Sequence, residues 1–175
     1  MYMQKYIQRA FEALKKFNRV YNHHGLALAL GPEKAIIEVT FDVTEHIANN
    51  GSEPRPEIRK LFREYGNTPV LFNNDVYKVF KLMSSGKSHV DSLLSIDQKG
   101  YIIKIDGFLV SPAEFYSQIK DYDPDWGTRH WSCAAASCLD GVTTMALSEG
   151  RKTITTFHDG RVIDELCYHP HKKKD

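Results

Sequence analysis

Met3, Ile7, Ala10, Leu14, Phe17 and Tyr21 recur at alternating steps of four and three. That spacing lays one apolar stripe along a helix of about 18 residues. Tyr6, Phe11 and Val20 widen the stripe, which suits packing on the helix's own domain or self-association. Leu26, Leu28 and Leu30 then alternate with small residues until Gly31-Pro32 breaks the run. Ala35 to Phe41 is β-branched and apolar, which predicts a second strand joined to the first by a turn. After the turn-rich Asn49 to Ser52, Pro56 opens a helix over Glu57 to Tyr65, with Ile58, Leu61, Phe62 and Tyr65 as its apolar face. Asn74-Asp75 can cap another helix, Val76 to Met83, whose Val76, Val79, Phe80 and Met83 lie on one side.

Strand patterns return in the second half. Leu93 to Ile96 and Tyr101 to Leu109 flank Asp97 to Gly100, a connection with the glycine that a hairpin needs for positive φ. Pro112 to Lys120 predicts a short helix, Asp121 to Gly127 a loop, and Arg129 to Cys138 a helix of small residues able to approach a sheet closely. Val142 to Leu147, Thr153 to Phe157 and Arg161 to Leu166 are strands, the last two joined through His158-Asp159-Gly160. The order predicts an α/β (α+β) fold with a central mixed sheet flanked by helices, and neither a regular βαβ series nor a solenoid.

Composition narrows the function classes. With 175 residues the chain makes one ordinary domain, and Lys+Arg 23 against Asp+Glu 22 leaves no bulk field for nucleic acid, so any anion site must be local. No apolar run approaches the ~20 residues of a membrane span, and the N-terminus lacks a signal-peptide core, which together imply a soluble cytoplasmic protein. Cys133, Cys138 and Cys167 are odd in number and lack C-x-x-C spacing, which argues against a disulfide framework and a structural zinc. The tail from Cys167 carries His169, His171 and three lysines, and reads as a solvated terminus rather than a metal or polyanion site.

Two segments carry candidate chemistry. Gly127-Thr128-Arg129-His130 stands where a loop becomes a helix, so helix amides, a hydroxyl, a guanidinium and an imidazole could together take a phosphate. The structural alternative is a capped helix with Thr128 as N-cap. Asp91, at the entrance to a hairpin strand, could hold a divalent cation or deprotonate a hydroxyl, or could serve the turn.

The order of these motifs resembles the diadenylate cyclase domain, the nucleotidyltransferase module at the N-terminus of the DNA-integrity scanning protein DisA. There an Asp-Gly-Ala motif begins a hairpin strand after a helix, and Gly-Thr-Arg-His-Arg opens a small-residue helix further on. The matching positions are Asp91-Ser92-Leu93 and Gly127-Thr128-Arg129-His130-Trp131, followed by Ser148-Glu149 and a closing hairpin. The resemblance covers about residues 70–166 as a nucleotide-binding core. Residues 1–69 are then a divergent start to the same domain or an accessory segment, and 167–175 a polar tail.

The resemblance implies that Asp91, with Glu149, serves Mg²⁺ or Mn²⁺ and the attacking hydroxyl. Thr128, Arg129 and His130 would grip the phosphates of ATP, with Ser92, Leu93, Gly127, Trp131 and Ser148 lining the nucleotide. Two chains of a homo-oligomer would then meet to condense two ATP molecules into cyclic di-AMP. Three positions depart from the pattern. Ser92 puts a side chain where the family has glycine, Leu93 is bulkier than alanine, and Trp131 replaces a cation by an aromatic ring able to stack on a base. Those departures also suit a second function class, a nucleotide sensor without turnover. A third is an interaction protein built on the N-terminal stripe.

Overall fold

The structure, a computed structural model, describes residues 2–20, 25–42, 56–71, 75–84, 92–105, 107–110, 113–148 and 152–167. In chain order its elements are α1 (Tyr2–Val20), β1 (Leu26–Gly31), α2 (Glu33–Val39), β2 (Thr40–Asp42), α3 (Pro56–Tyr65), α4 (Val76–Ser84) and β3 (Ser92–Asp97). There follow β4 (Ile102–Ile105), β5 (Gly107–Leu109), α5 (Ala113–Tyr116), α6 (Thr128–Ala136), β6 (Thr143–Ser148), β7 (Thr153–His158) and β8 (Arg161–Cys167). Six strands form one mixed sheet in the order β4-β3-β1-β6-β7-β8, in which only β1 and β3 run parallel. The mixed sheet flanked by helices is the architecture that the sequence predicts.

Alternation along β1 divides the interior into two cores. Leu26, Leu28 and Leu30 face one side, where Tyr6, Ala10, Leu14 and Phe17 of α1 pack with Leu61 of α3 and with Val79 and Phe80 of α4. The stripe on α1 is therefore buried in its own domain, with Leu14 fully enclosed and the Phe17 and Phe80 rings 5.6 Å apart. Ala27 and Ala29 face the other side together with Leu93, Ala146 and Phe157, against Ile36 of α2 and Cys133 and Ala134 of α6. Alanines on both surfaces let α6 approach the sheet, and the Thr144 hydroxyl donates to the Cys133 carbonyl at 2.7 Å. β1 lies at the sheet centre, with α1 and α3 contributing to the core on one of its faces. Among the described residues no helix is long and apolar enough to cross a membrane.

Three local expectations are corrected. Ala35 to Phe41 is not a strand: residues 33–39 are helical, and only Thr40–Asp42 extends, pairing with β5 in a separate two-stranded sheet. Pro32 stands at the N-cap with its carbonyl receiving the Ile36 amide at 2.9 Å, and Ile36 and Val39, three apart, are buried while Ile37 is 50 % exposed. A step of three with exposed neighbours is helical burial, and it outweighs the β-branched composition. The run Tyr101 to Leu109 is two strands in two sheets, β4 and β5. The predicted helix from Pro112 to Lys120 shrinks to the four residues of α5, none of them buried, since it offers no face to a core.

The hairpins follow their turn residues. Gly100 has φ 91, and Asp97 Oδ1 accepts the amides of Lys99 and Tyr101 at 2.8 and 2.9 Å. Asp159 and Gly160 have φ 52 and 67, the two left-handed positions of a type I′ turn between β7 and β8.

Candidate functional site

The start of α6 is built by the loop before it. Asp121 Oδ2 accepts the Val162 amide of β8 at 2.7 Å, Asp123 Oδ1 accepts the Asp125 amide at 2.9 Å, and Trp126 then drops into the core against Phe157. The N-cap of α6 is Gly127, in extended conformation (φ −78, ψ 174), and no side chain caps the helix. Thr128, exposed on the first turn, is thus not the N-cap of the structural alternative. A side-chain Cβ placed at Gly127 would meet nothing within 4 Å, and no side chain occupies the first amides of α6 as a cap.

Arg129 turns back toward the sheet. Its Nη1 donates to the Leu147 carbonyl at 3.3 Å, and its guanidinium lies so close to Gly25 that a Cβ on that residue would overlap it. Leu147 pairs with Leu26 on one side, and Leu26 pairs with Ser92 on the other. At about 5 Å per strand step, the start of β3, the end of β6 and the start of α6 therefore share one end of the sheet. Ser148 closes β6 there, half-buried, as the register partner of Thr153. Leu93 is buried on the α6 face. Ser92 begins β3, whereas Asp91 and Glu149, the two carboxylates of the candidate metal site, lie outside the described residues.

His130 goes inward. It is 2 % exposed, its ring nearly parallel to Trp126 at 6.2 Å and edge-on to Phe157 at 6.2 Å, with Nε2 3.3 Å from Thr155 Oγ1. The Thr155 hydroxyl donates its one proton to Glu165 Oε2 at 2.9 Å, so it accepts from His130 and fixes the ring proton on Nε2. Trp131 packs edge-on to Trp126 at 5.4 Å and tilted to Tyr122 at 5.4 Å. Its ring is thereby engaged in the chain's own aromatic cluster, of which Tyr122 is the exposed rim. Cys133, one turn below Arg129, is enclosed. Burial pushes its thiol up to about 12, against the opposing pull of the Arg129 charge.

Several contributors escaped sequence reasoning. Gly25 gives no signal beyond standing at the start of a strand, and its role rests on a side chain 104 positions away in the sequence. Thr155, Glu165 and Tyr122 are ordinary strand and loop residues until the fold sets them against His130 and Trp131. Among the described residues no three His, Cys, Asp or Glu side chains stand together as a cation site, and Asp91 and Glu149, the two carboxylates that would hold a cation, lie outside those residues. No protein-family model matches this sequence, and no curated protein matches it.

Proposed function

We propose that this chain is a nucleotide-binding domain of the diadenylate cyclase type, which takes ATP at the start of α6 and condenses two molecules into cyclic di-AMP. The observation that carries the reading is convergence. Segments at 92–93, 127–131 and 147–148, far apart in the chain, meet at one end of the sheet through the Arg129 to Leu147 hydrogen bond and the paired row Ser92, Leu26, Leu147. Uncapped helix amides, the Thr128 hydroxyl and the Arg129 guanidinium supply local positive potential for phosphate in a chain of net charge +1.

In this reaction each 3′-hydroxyl attacks the α-phosphorus of the other ATP, forming two P–O bonds and releasing two pyrophosphates. The protein's part is positioning and charge neutralisation. The α6 amides and Arg129 orient the phosphates, and Asp91 receives the proton of the attacking hydroxyl, while Leu93, 1 % exposed, belongs to the core beneath the site and not to its lining. A divalent cation, if held by Asp91 and Glu149, would neutralise phosphate charge. Because each chain offers one half of the site, turnover requires two chains and its rate rises with the square of protein concentration below the dissociation constant of the pair. Incubation with ATP and Mn²⁺ or Mg²⁺, read by chromatography with mass detection, should give cyclic di-AMP from the wild type and none from Asp91→Asn. Failure to bind any adenine nucleotide refutes the reading.

One observation favours a second reading, a sensor that binds without turnover. His130 is turned into the core and Trp131 is engaged with Trp126 and Tyr122, so the motif offers the phosphates chiefly Arg129 and the helix amides. That reading predicts a higher melting temperature with ATP or cyclic di-AMP and no new product.

A further inference from the structure

Two buried hydroxyls have no hydrogen-bond partner among the described residues, those of Thr153 and Thr156. They face opposite cores. Thr155 and Phe157 of β7 meet His130 and Trp126 on the α6 side, so Thr153, two residues before Thr155, faces α6 as well. Thr156 points with Ile154 into the α1 core. Thr153 is 2 % exposed and stands at the first position of β7, paired with Ser148. Directly opposed residues have Cβ atoms about 4.5–5.5 Å apart, so two hydroxyl side chains adjoin on this face.

The direction of α6 decides what lies nearby. Its Arg129 bonds Leu147, beside Ser148, whereas its Cys133 carbonyl bonds Thr144, three residues further down β6. The helix therefore starts over the Ser148 and Thr153 end of the sheet and runs away from it. An unpaired buried hydroxyl costs folding free energy that an isosteric valine would avoid. The end of the sheet on which Thr153 stands thus also holds the α6 N-terminus, the Arg129 guanidinium and the Ser148 hydroxyl, groups that attract an oxyanion.

We infer that Thr153 is a phosphate-binding residue, its Oγ1 donating to an oxygen of the nucleotide's phosphate chain held at the start of α6 beside Ser148. The inference rests on the nucleotide reading above, and adds to it a residue that the motif resemblance does not assign. Thr156, orphaned in an apolar core, serves as the control.

The test is calorimetric titration of the wild type, Thr153→Val, Thr153→Ser and Thr156→Val with ATP and with inorganic tripolyphosphate, each in Mg²⁺, beside their melting temperatures without ligand. Thr153→Val should weaken both ligands by about ten- to a hundredfold while melting at or above the wild-type temperature. Thr153→Ser should keep the affinity within about threefold, and Thr156→Val should leave it unchanged. Wild-type affinity in Thr153→Val overturns the inference and leaves the nucleotide reading standing. Failure of Thr153→Val to fold, or a lower melting temperature, also overturns it by showing that the hydroxyl has a structural partner. Tripolyphosphate binding that depends on Thr153, with ATP bound no more tightly, keeps the phosphate residue and removes the adenine reading. No binding of either ligand by the wild type removes both.

Discussion

Arg129 sits flat against Gly25, and that contact governs how the guanidinium is aimed. Gly25→Ala would place a methyl where the guanidinium now lies. The overlapping atoms are the far end of a flexible side chain, so Arg129 swings away and surrenders its bond to the Leu147 carbonyl. The expected outcome is a nucleotide affinity lowered about as far as in Arg129→Ala, on the order of tenfold for a charge-assisted contact, with the fold retained. Titration of both variants with ATP checks this, and wild-type affinity in Gly25→Ala would remove the guanidinium from the ligand. Residue chemistry elsewhere was legible in the sequence where it acts locally. Asp159-Gly160 announces a type I′ turn because both positions need positive φ. Gly25 is illegible for the converse reason: its constraint is a side chain from another element.

At the scale of elements, α1 shows how amphipathicity is used. Its stripe is long enough to suggest a docking helix, yet Leu14 and Phe17 are enclosed between the sheet and α4. Leu14→Ala should cost about 2–5 kcal/mol, by lost apolar burial and the cavity left behind. Urea denaturation should show a lower midpoint at an unchanged slope, whereas a loss of assembly at constant stability would restore the docking reading. Helix α2 shows the reverse error. Its isoleucines and valine suggest a strand, but Pro32 fixes the N-terminus and the buried positions Ile36 and Val39 fall three apart. Composition gives a propensity, and the surface available for burial decides between periods.

For the whole molecule, the buried acids set an alkaline limit. Cys133 is pushed up to about 12 by burial, and the Tyr6 phenol is also raised, first by burial and then by the Asp97 charge. Both groups have folded values above their unfolded ones, so the unfolded chain releases their protons first. Their contribution is complete below the unfolded thiol value near 9 and is lost as pH rises toward 12. Urea midpoints should therefore fall across that window, and Cys133→Ala should flatten the decline even though it lowers the midpoint at neutral pH. A parallel decline in the variant would place the alkaline limit elsewhere.

By itself the sequence determined the elements whose cause is local: the period of α1, α3 and α4, the turn residues of the hairpins, the small-residue helix after Gly127, and with them the mixed α/β class. It also offered Gly127 to Trp131 as a candidate phosphate site. Only the tertiary structure decided which of those side chains reach the end of the sheet where α6 starts. His130 and Trp131 directly follow Arg129 in the sequence, but successive residues on a helix point about 100° apart. Once Ala134 and Cys133 bind the helix to the sheet, His130 must enter the core toward Thr155, and Arg129 must turn toward Gly25 and Leu147. The packed face of α6 fixes those directions, and a linear motif carries no record of which face will be packed.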